Sequence, residues 1–181
     1  MKTTYEIDPA HSNVSFSVRH LMVTNVRGSF RSVKGTVVYD PEDPSASTVH
    51  AVIEAGSITT NDNERDTHLK SEDFLFVARY PTIEFNSTGV KAADHTEFEV
   101  TGDLTVRGVT KPVLLKVEDV STETKDPWGN LRIGASAKAK IKRSDFGLTW
   151  NAPLETGGVL VGDEVKLDFE LEFIRSRAAT A

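Results

Sequence analysis

The sequence predicts an all-β fold, an extended antiparallel β-barrel of about eight strands with one short helical insert near 62–70. Three observations carry this. Apolar and polar residues alternate with period two over most of the chain. Pro-, Asp- and Gly-rich turn clusters separate the alternating runs. No linker, repeat or low-complexity tract divides the 181 residues, so one domain is expected over 1–176, followed by a short C-terminal tail at 177–181.

A first strand is expected near 4–8. Val14, Phe16 and Val18 then alternate with Asn13, Ser15, Ser17 and Arg19. Runs near 26–40 and 47–58 follow, separated by the turn cluster "DPEDPS" at 40–45. Asn61, with Glu64 three residues on, reads as a capping box, so a helix is expected from there to Lys70. Further strands are expected near 82–92, 96–107, 111–124 and 131–143. "RGVTKP" at 107–112 reads as a hairpin turn with Gly108 supplying the special backbone angle, and "KDPWGN" at 125–130 as a second turn. The clearest strand comes last: Val165, Leu167, Phe169, Leu171 and Phe173 alternate with Glu164, Lys166, Asp168, Glu170 and Glu172. One wet and one dry face mark antiparallel sheet, and closing it into a barrel removes its edges.

Composition excludes several functions. The net charge of −6, from 21 basic and 27 acidic residues, argues against a nucleic-acid partner, which needs a basic face. The absence of cysteine excludes disulfides, thiolate catalysis and zinc–cysteine sites. "MKTTYEIDPAHS" at the start has no apolar leader core, and no apolar run approaches the ~20 residues of a membrane helix. The chain is therefore expected to be soluble, without a transmembrane segment, and cytoplasmic as written, or periplasmic if a leader has been removed. The Asn-x-Ser/Thr sequons at Asn13 and Asn86 read as chance matches in that setting.

The strand "ASAKAKIK" at 135–142 places Ala135, Ala137, Ala139 and Ile141 on its dry face, and 49–55 repeats the theme with Ala51, Ile53 and Ala55. Alanine is a poor strand former and leaves space on a dry face. Either aromatic side chains of facing strands fill that space, or it is a ligand cavity, since a barrel of about eight strands is wide enough for one.

The most chemical-looking stretch is "NERDTHLKSEDFL" at 63–75. At four-residue spacing Glu64, His68 and Glu72 share a helix face and would offer oxygen and nitrogen ligands. The two-histidine helical zinc motif is absent, however, and no metal is expected. The five histidines are scattered, and no nucleophile elbow or phosphate loop is present. The reading favoured is a charged amphipathic helix tied to the barrel by its Arg and Asp side chains, with Leu69, Phe74, Phe76 and Val77 turned inward.

Several motifs resemble, in order, those of the YceI family of lipocalin-like, polyisoprenoid-binding proteins. They are "IDPAHSNVSFSVRHL" at 7–21, "VRGSF" at 26–30, "RDTHLKSEDFLFVARYPTIEF" at 65–85, "GDLTVRGVTKPVLLKV" at 102–117 and "KRSDFGL" at 142–148. The resemblance implies a lipocalin-like barrel with an apolar tunnel for a long isoprenoid chain, a polyprenyl lipid or an isoprenoid quinone tail. That lipid would be the sole ligand, with no cofactor and no catalytic residue, held for storage, transport or protection; a homodimer is also implied. It marks His20, Arg65, Asp66, His68, Leu69, Ser71, Phe74, Pro81 and Phe85 as pattern residues.

An isoprenoid tail offers only apolar area, so its site would be a long dry tunnel. The candidate tunnel residues are Phe16, Val18, Phe30, Ile53, Leu69, Phe74, Phe76, Phe85, Leu104, Ala137, Ile141, Phe146, Leu148, Trp150 and Phe169. Arg19, His20, Arg65 and His68 are candidates for a polar mouth. Two other classes compete: a hydrolase or isomerase acting on a small apolar substrate through His20 and His68, and an interaction protein whose interior is filled by its own side chains.

Overall fold

The computed structural model describes residues 1–176; the expected tail at 177–181 lies outside them. The strands are β1 (Thr3–Ile7), β2 (Asn13–His20), β3 (Thr24–Phe30), β4 (Val33–Tyr39), β5 (Thr48–Glu54) and β6 (Ile58–Thr59), followed by helix α1 (Asn63–Lys70). Then come β7 (Thr82–Ala92), β8 (Phe98–Val106), β9 (Val109–Glu118), β10 (Thr124–Lys125), β11 (Leu131–Lys142) and β12 (Val161–Arg175). Eight of them, in the order β11–β9–β8–β7–β5–β4–β1–β12, close into an antiparallel barrel when β12 returns to β11. The predicted architecture is the one observed.

Strand β12 is the seam. One edge pairs with β11 from Glu164 to Ile174. The other edge is shared, with β2 alongside Val161–Glu170 and β1 alongside Phe173–Arg175. The β2–β3 hairpin therefore carries the wall past the closed ring as far as β6. A register slip between Val161 and Val165 bends the start of β12, as bulges do.

The long runs expected at 26–40 and 47–58 are each broken. Ser57 makes the first break: its carbonyl accepts from Arg31 N (3.2 Å) and its hydroxyl from Ser32 N (3.1 Å), turning the chain between β3 and β4. A 3-10 turn at Ala55–Ser57 makes the second. Asp119, at φ 54°, ends β9 short of the expected 124. In the 107–112 hairpin Arg107 (φ 50°) and Gly108 (φ 72°) both take positive φ, which suits the twist of a two-residue turn.

Helix α1 is capped by Asp62, whose side chain accepts from Arg65 N (3.0 Å); the expected cap, Asn61, instead bends the chain at φ 58°. The helix is fastened through Thr60. Asp66 Oδ1 accepts from Thr60 N (2.7 Å) and Thr60 Oγ1 (2.6 Å), while Arg65 donates to Thr60 Oγ1 (2.7 Å) and Thr60 O (3.1 Å). Burial pushes the Asp66 carboxyl up, but the Thr60 donors outweigh it and hold it below the usual carboxylate range. These bonds press one side of α1 onto the barrel, where Leu69 packs against a buried core that includes Phe74, Phe85, Leu104 and Phe146.

Candidate functional site

The inward faces of β2, β3 and β12, together with α1 and the segment after it, enclose a cavity of about 820 Å³. That volume lies in the upper part of the usual ligand-pocket range of roughly 300–1,000 Å³. Its wall is built by strand parity. Val14, Phe16 and Val18 of β2 point the same way, and so do Val165, Leu167 and Phe169 of β12, which lie opposite them in register.

Most candidate tunnel residues line this cavity: Phe16, Val18, Phe30, Ile53, Leu69, Phe74, Leu104, Ile141, Leu148, Trp150 and Phe169. All four polar candidates, Arg19, His20, Arg65 and His68, line it as well. Arg19, Asp62 and Glu64 are exposed although they line the cavity, so its opening lies where β2 ends and α1 begins.

Four candidates are placed elsewhere. Phe76, at φ 47°, turns its ring against Tyr80 (centroids 6.1 Å apart) and under the Arg107 guanidinium (5.9 Å). Phe85 packs its ring against Gly102 of β8, where a Cβ would come within 2.3 Å of it. Phe146 is 1% exposed and belongs to the solid core. Ala137 is buried between Val117 and Phe169 of its neighbouring strands. The alanine-rich face thus does not mark the cavity; Ala139 packs in one core with Phe85 and Phe146, and only the terminal Ile141 of that face reaches the cavity.

Other lining residues were missed by the sequence reading. Val165 and Leu167 share a face with Phe169, and Val14 and Val26 share faces with their neighbours in register, so period-two parity alone would have found them. Leu160, Val161 and Arg143 had no such signal, because 143–161 has no alternating pattern.

Arg143 is the buried cation of the wall. It donates to four carbonyls: Gly162 (2.8 Å), Leu148 (2.7 Å), Trp150 (2.9 Å) and Val161 (3.2 Å). Burial lowers its pKa, opposed by nearby Asp163. The guanidinium ties the 148–150 segment to the bent start of β12 and so holds Trp150 over the cavity. The Trp150 ring meets His68 edge-on (4.7 Å) and Phe74 at a tilt (5.4 Å), while His68 also meets Phe74 edge-on (5.0 Å). His68 Nε2 lies 2.8 Å from Asp73 Oδ2, so the imidazole is fixed by Asp73 rather than shared with Glu64 and Glu72.

A second, polar cleft of about 520 Å³ lies at the far end of β12. There Asp8, His11 and Glu172 bring ligand atoms within 4.8 Å of one another, but Arg132 is already their cation. It donates to Asp8 (2.6 Å), Asp126 (2.7 Å) and Glu172. Arg132 and then His11 hold the Asp8 carboxyl down to about 2. This is a structural clasp between the start of the chain, β11 and β12.

The family model for the YceI-like domain matches residues 5–173. The chain belongs to the YceI family. Protein YceI of Escherichia coli O6:H1 is 43% identical over 146 residues, covering 80% of this chain and 75% of that protein. The crystal structure of the Campylobacter jejuni YCEI protein superposes with a TM-score of 0.73 at 30% identity, covering 88% of this chain and 90% of that one. A domain of Saccharophagus degradans described as polyisoprenoid binding shares the fold at TM-score 0.67 and 17% identity, covering 96% and 99%. Among the described residues of this YceI chain, no helix is long and apolar enough to cross a membrane.

Proposed function

We propose that this YceI-family chain binds a long isoprenoid lipid, a polyprenyl lipid or an isoprenoid quinone, non-catalytically. The tail would lie in the 820 Å³ cavity and the head group at its polar end. The cavity wall is the observation that carries this reading: its lining is mainly aliphatic and aromatic, the exposed charged groups Arg19, Asp62 and Glu64 lie at the opening, and the buried cation Arg143 is engaged by four backbone carbonyls. Each buried methylene contributes roughly 0.8 kcal/mol, so a tail gains affinity by length and outruns the cost of association without a strong polar anchor. The polyisoprenoid-binding description of the Saccharophagus degradans domain agrees with this ligand class; at that identity the likeness itself carries the fold. The bound lipid would be stored, carried or protected.

A second reading has one observation in its favour. The His68–Asp73 pair is a carboxylate-oriented imidazole beside an apolar cavity that His20 also lines, an arrangement a hydrolase or isomerase would use.

The test is titration of lipid-stripped protein with a long polyprenol and with an isoprenoid quinone. The Val26→Phe/Val165→Phe variant, whose added rings project into the cavity, serves as the control. Displacing one five-carbon unit removes roughly 4 kcal/mol of burial, about a thousandfold in affinity. Saturable wild-type binding that the variant loses supports the reading; equal binding by both overturns it. Turnover of an apolar ester lost on His68→Ala would favour the second reading.

A further inference from the structure

Among the described residues, four of the seven exposed large hydrophobics cluster at one place. Leu21 (42% exposed), Met22 (58%) and Val23 (74%) form the tip of the β2–β3 hairpin, and Val159 (40%) lies on the adjacent loop. The tip is braced by hydrogen bonds from Leu21 N to Leu160 O (2.8 Å) and from Arg19 Nη2 to Met22 O (3.3 Å). The Met22 thioether lies over the Gly157–Gly158 turn, 3.6 Å from where a Cβ of Gly158 would be. Arg19, His20, Leu160 and Val161, which flank the tip, line the cavity, so the exposed apolar cluster borders the cavity opening.

The backbone makes this composition unexpected. Val23 N donates to His20 O (3.1 Å), and the two central residues, Leu21 (φ 53°) and Met22 (φ 60°), are both in the left-handed region. Such a turn favours Asn-Gly; large apolar side chains there violate the local rule and expose oily surface at the same time, a combination expected at functional sites.

The charge around the tip identifies what it meets. Within the hairpin itself the charged residues are Arg19 and Arg27, with no acid from Asn13 to Phe30; the acids near its tip, Asp62 and Glu64 across the cavity opening and Asp163 beside Gly162, lie on other elements. Ser17 pairs with Arg27 and Arg19 with Asn25, which puts Arg19 and Arg27 on the same face of the hairpin, with Arg19 at the rim of the opening. The neighbouring loop 151–160 adds one acid, Glu155. An apolar tip backed by cations suits an anionic lipid surface.

We propose that the β2–β3 tip, Leu21–Val23 with Arg19 and Arg27 behind it, docks on an anionic bilayer surface and holds the cavity opening against it. This goes beyond the cavity reading and does not need it, since vesicle binding is measured without any cavity ligand.

The test is flotation with vesicles of equal phosphatidylcholine and phosphatidylglycerol, and with vesicles of phosphatidylcholine alone. The Leu21→Asn/Met22→Gly variant removes the apolar tip while installing the residues the turn prefers, so it is expected to melt at or above the wild-type temperature. Wild type is expected to float with the anionic vesicles, less as salt rises, and the variant to bind them roughly tenfold or more weakly while still titrating with polyprenol. Absent wild-type flotation, equal flotation of wild type and variant, or equal binding to phosphatidylcholine alone overturns the proposal. So does light scattering that finds a dimer which the variant dissolves, because the tip would then be covered by a second copy. Failure of the cavity reading shows separately, as flotation without polyprenol uptake.

Discussion

Asp66→Ala isolates the fastening of α1, the helix that forms one wall of the cavity. The carboxylate accepts two short bonds from one buried residue, at 2.7 Å from Thr60 N and 2.6 Å from Thr60 Oγ1. Hydrogen bonds to a charged group contribute about 1.5–3 kcal/mol each, and a buried donor left unpaired costs about 1–3 kcal/mol. Removing the carboxylate breaks both bonds and orphans the Thr60 N–H, so a loss of about 3–5 kcal/mol is expected. Asp66→Asn keeps an acceptor but loses the charge that roughly doubles each bond, and is expected to lose about 2 kcal/mol. The assay is urea unfolding followed by fluorescence of Trp150, which packs 4.7 Å from His68 of the same helix. Trp128, the other tryptophan and an exposed one, is replaced by Phe in every variant. Because the folded Asp66 carboxyl is depressed, its contribution is present above the unfolded pKa and is lost as pH falls through the folded value. The gap between wild type and Asp66→Ala should therefore close in acid. An Asp66→Ala protein within about 1 kcal/mol of wild type at neutral pH would refute the assignment of these bonds as the fastening.

Other perturbations have equally specific outcomes. Arg132→Gln removes the cation that holds Asp8 down to about 2; Asp8 contributes stability above its unfolded pKa and loses it as pH falls toward 2, so the variant should begin acid unfolding at higher pH than wild type, read by circular dichroism. Gly28→Ala places a methyl 2.4 Å from the Phe16 ring and 2.9 Å from Thr59 O; the ring can yield into the cavity but the backbone cannot, so a loss of about 1–3 kcal/mol in chemical denaturation is expected, along with weaker polyprenol binding. Leu69→Ala trims the helix wall, and faster lipid release by stopped-flow transfer to acceptor vesicles would make α1 a gate, whereas unchanged release would make it a seal.

The barrel was legible because burial on one face writes itself as alternation: β12 and β2 are visible in their residues alone. The breaks were less so. The chain turns at Ser57, Asn61 and Asp119 through hydrogen bonds and positive φ angles that no periodic pattern announces. The cavity was half legible. Phe16, Leu104 and Phe169 were found because large inward side chains lie on regular strands. Phe85 was misplaced because sequence gives a residue's face but not whether that face meets a void or a glycine such as Gly102; Phe146 was misplaced because it lies in a short 3-10 turn, where no alternation gives a face. Of the two readings open for the alanines, the filled one holds at Ala139, which shares a core with Phe85 and Phe146. Arg143 lay in a quoted motif, yet its role rests on carbonyls of residues 148–162 that only folding brings around it.

The central claim is that the cavity is a lipid site. The most direct measurement is organic extraction of freshly purified wild-type protein and the Val26→Phe/Val165→Phe variant, with mass spectrometry of the extracts. The account predicts a long prenyl lipid stoichiometric with wild type and depleted from the plugged variant. A wild-type extract without prenyl lipid, or the same lipid in equal amount from both proteins, would contradict it.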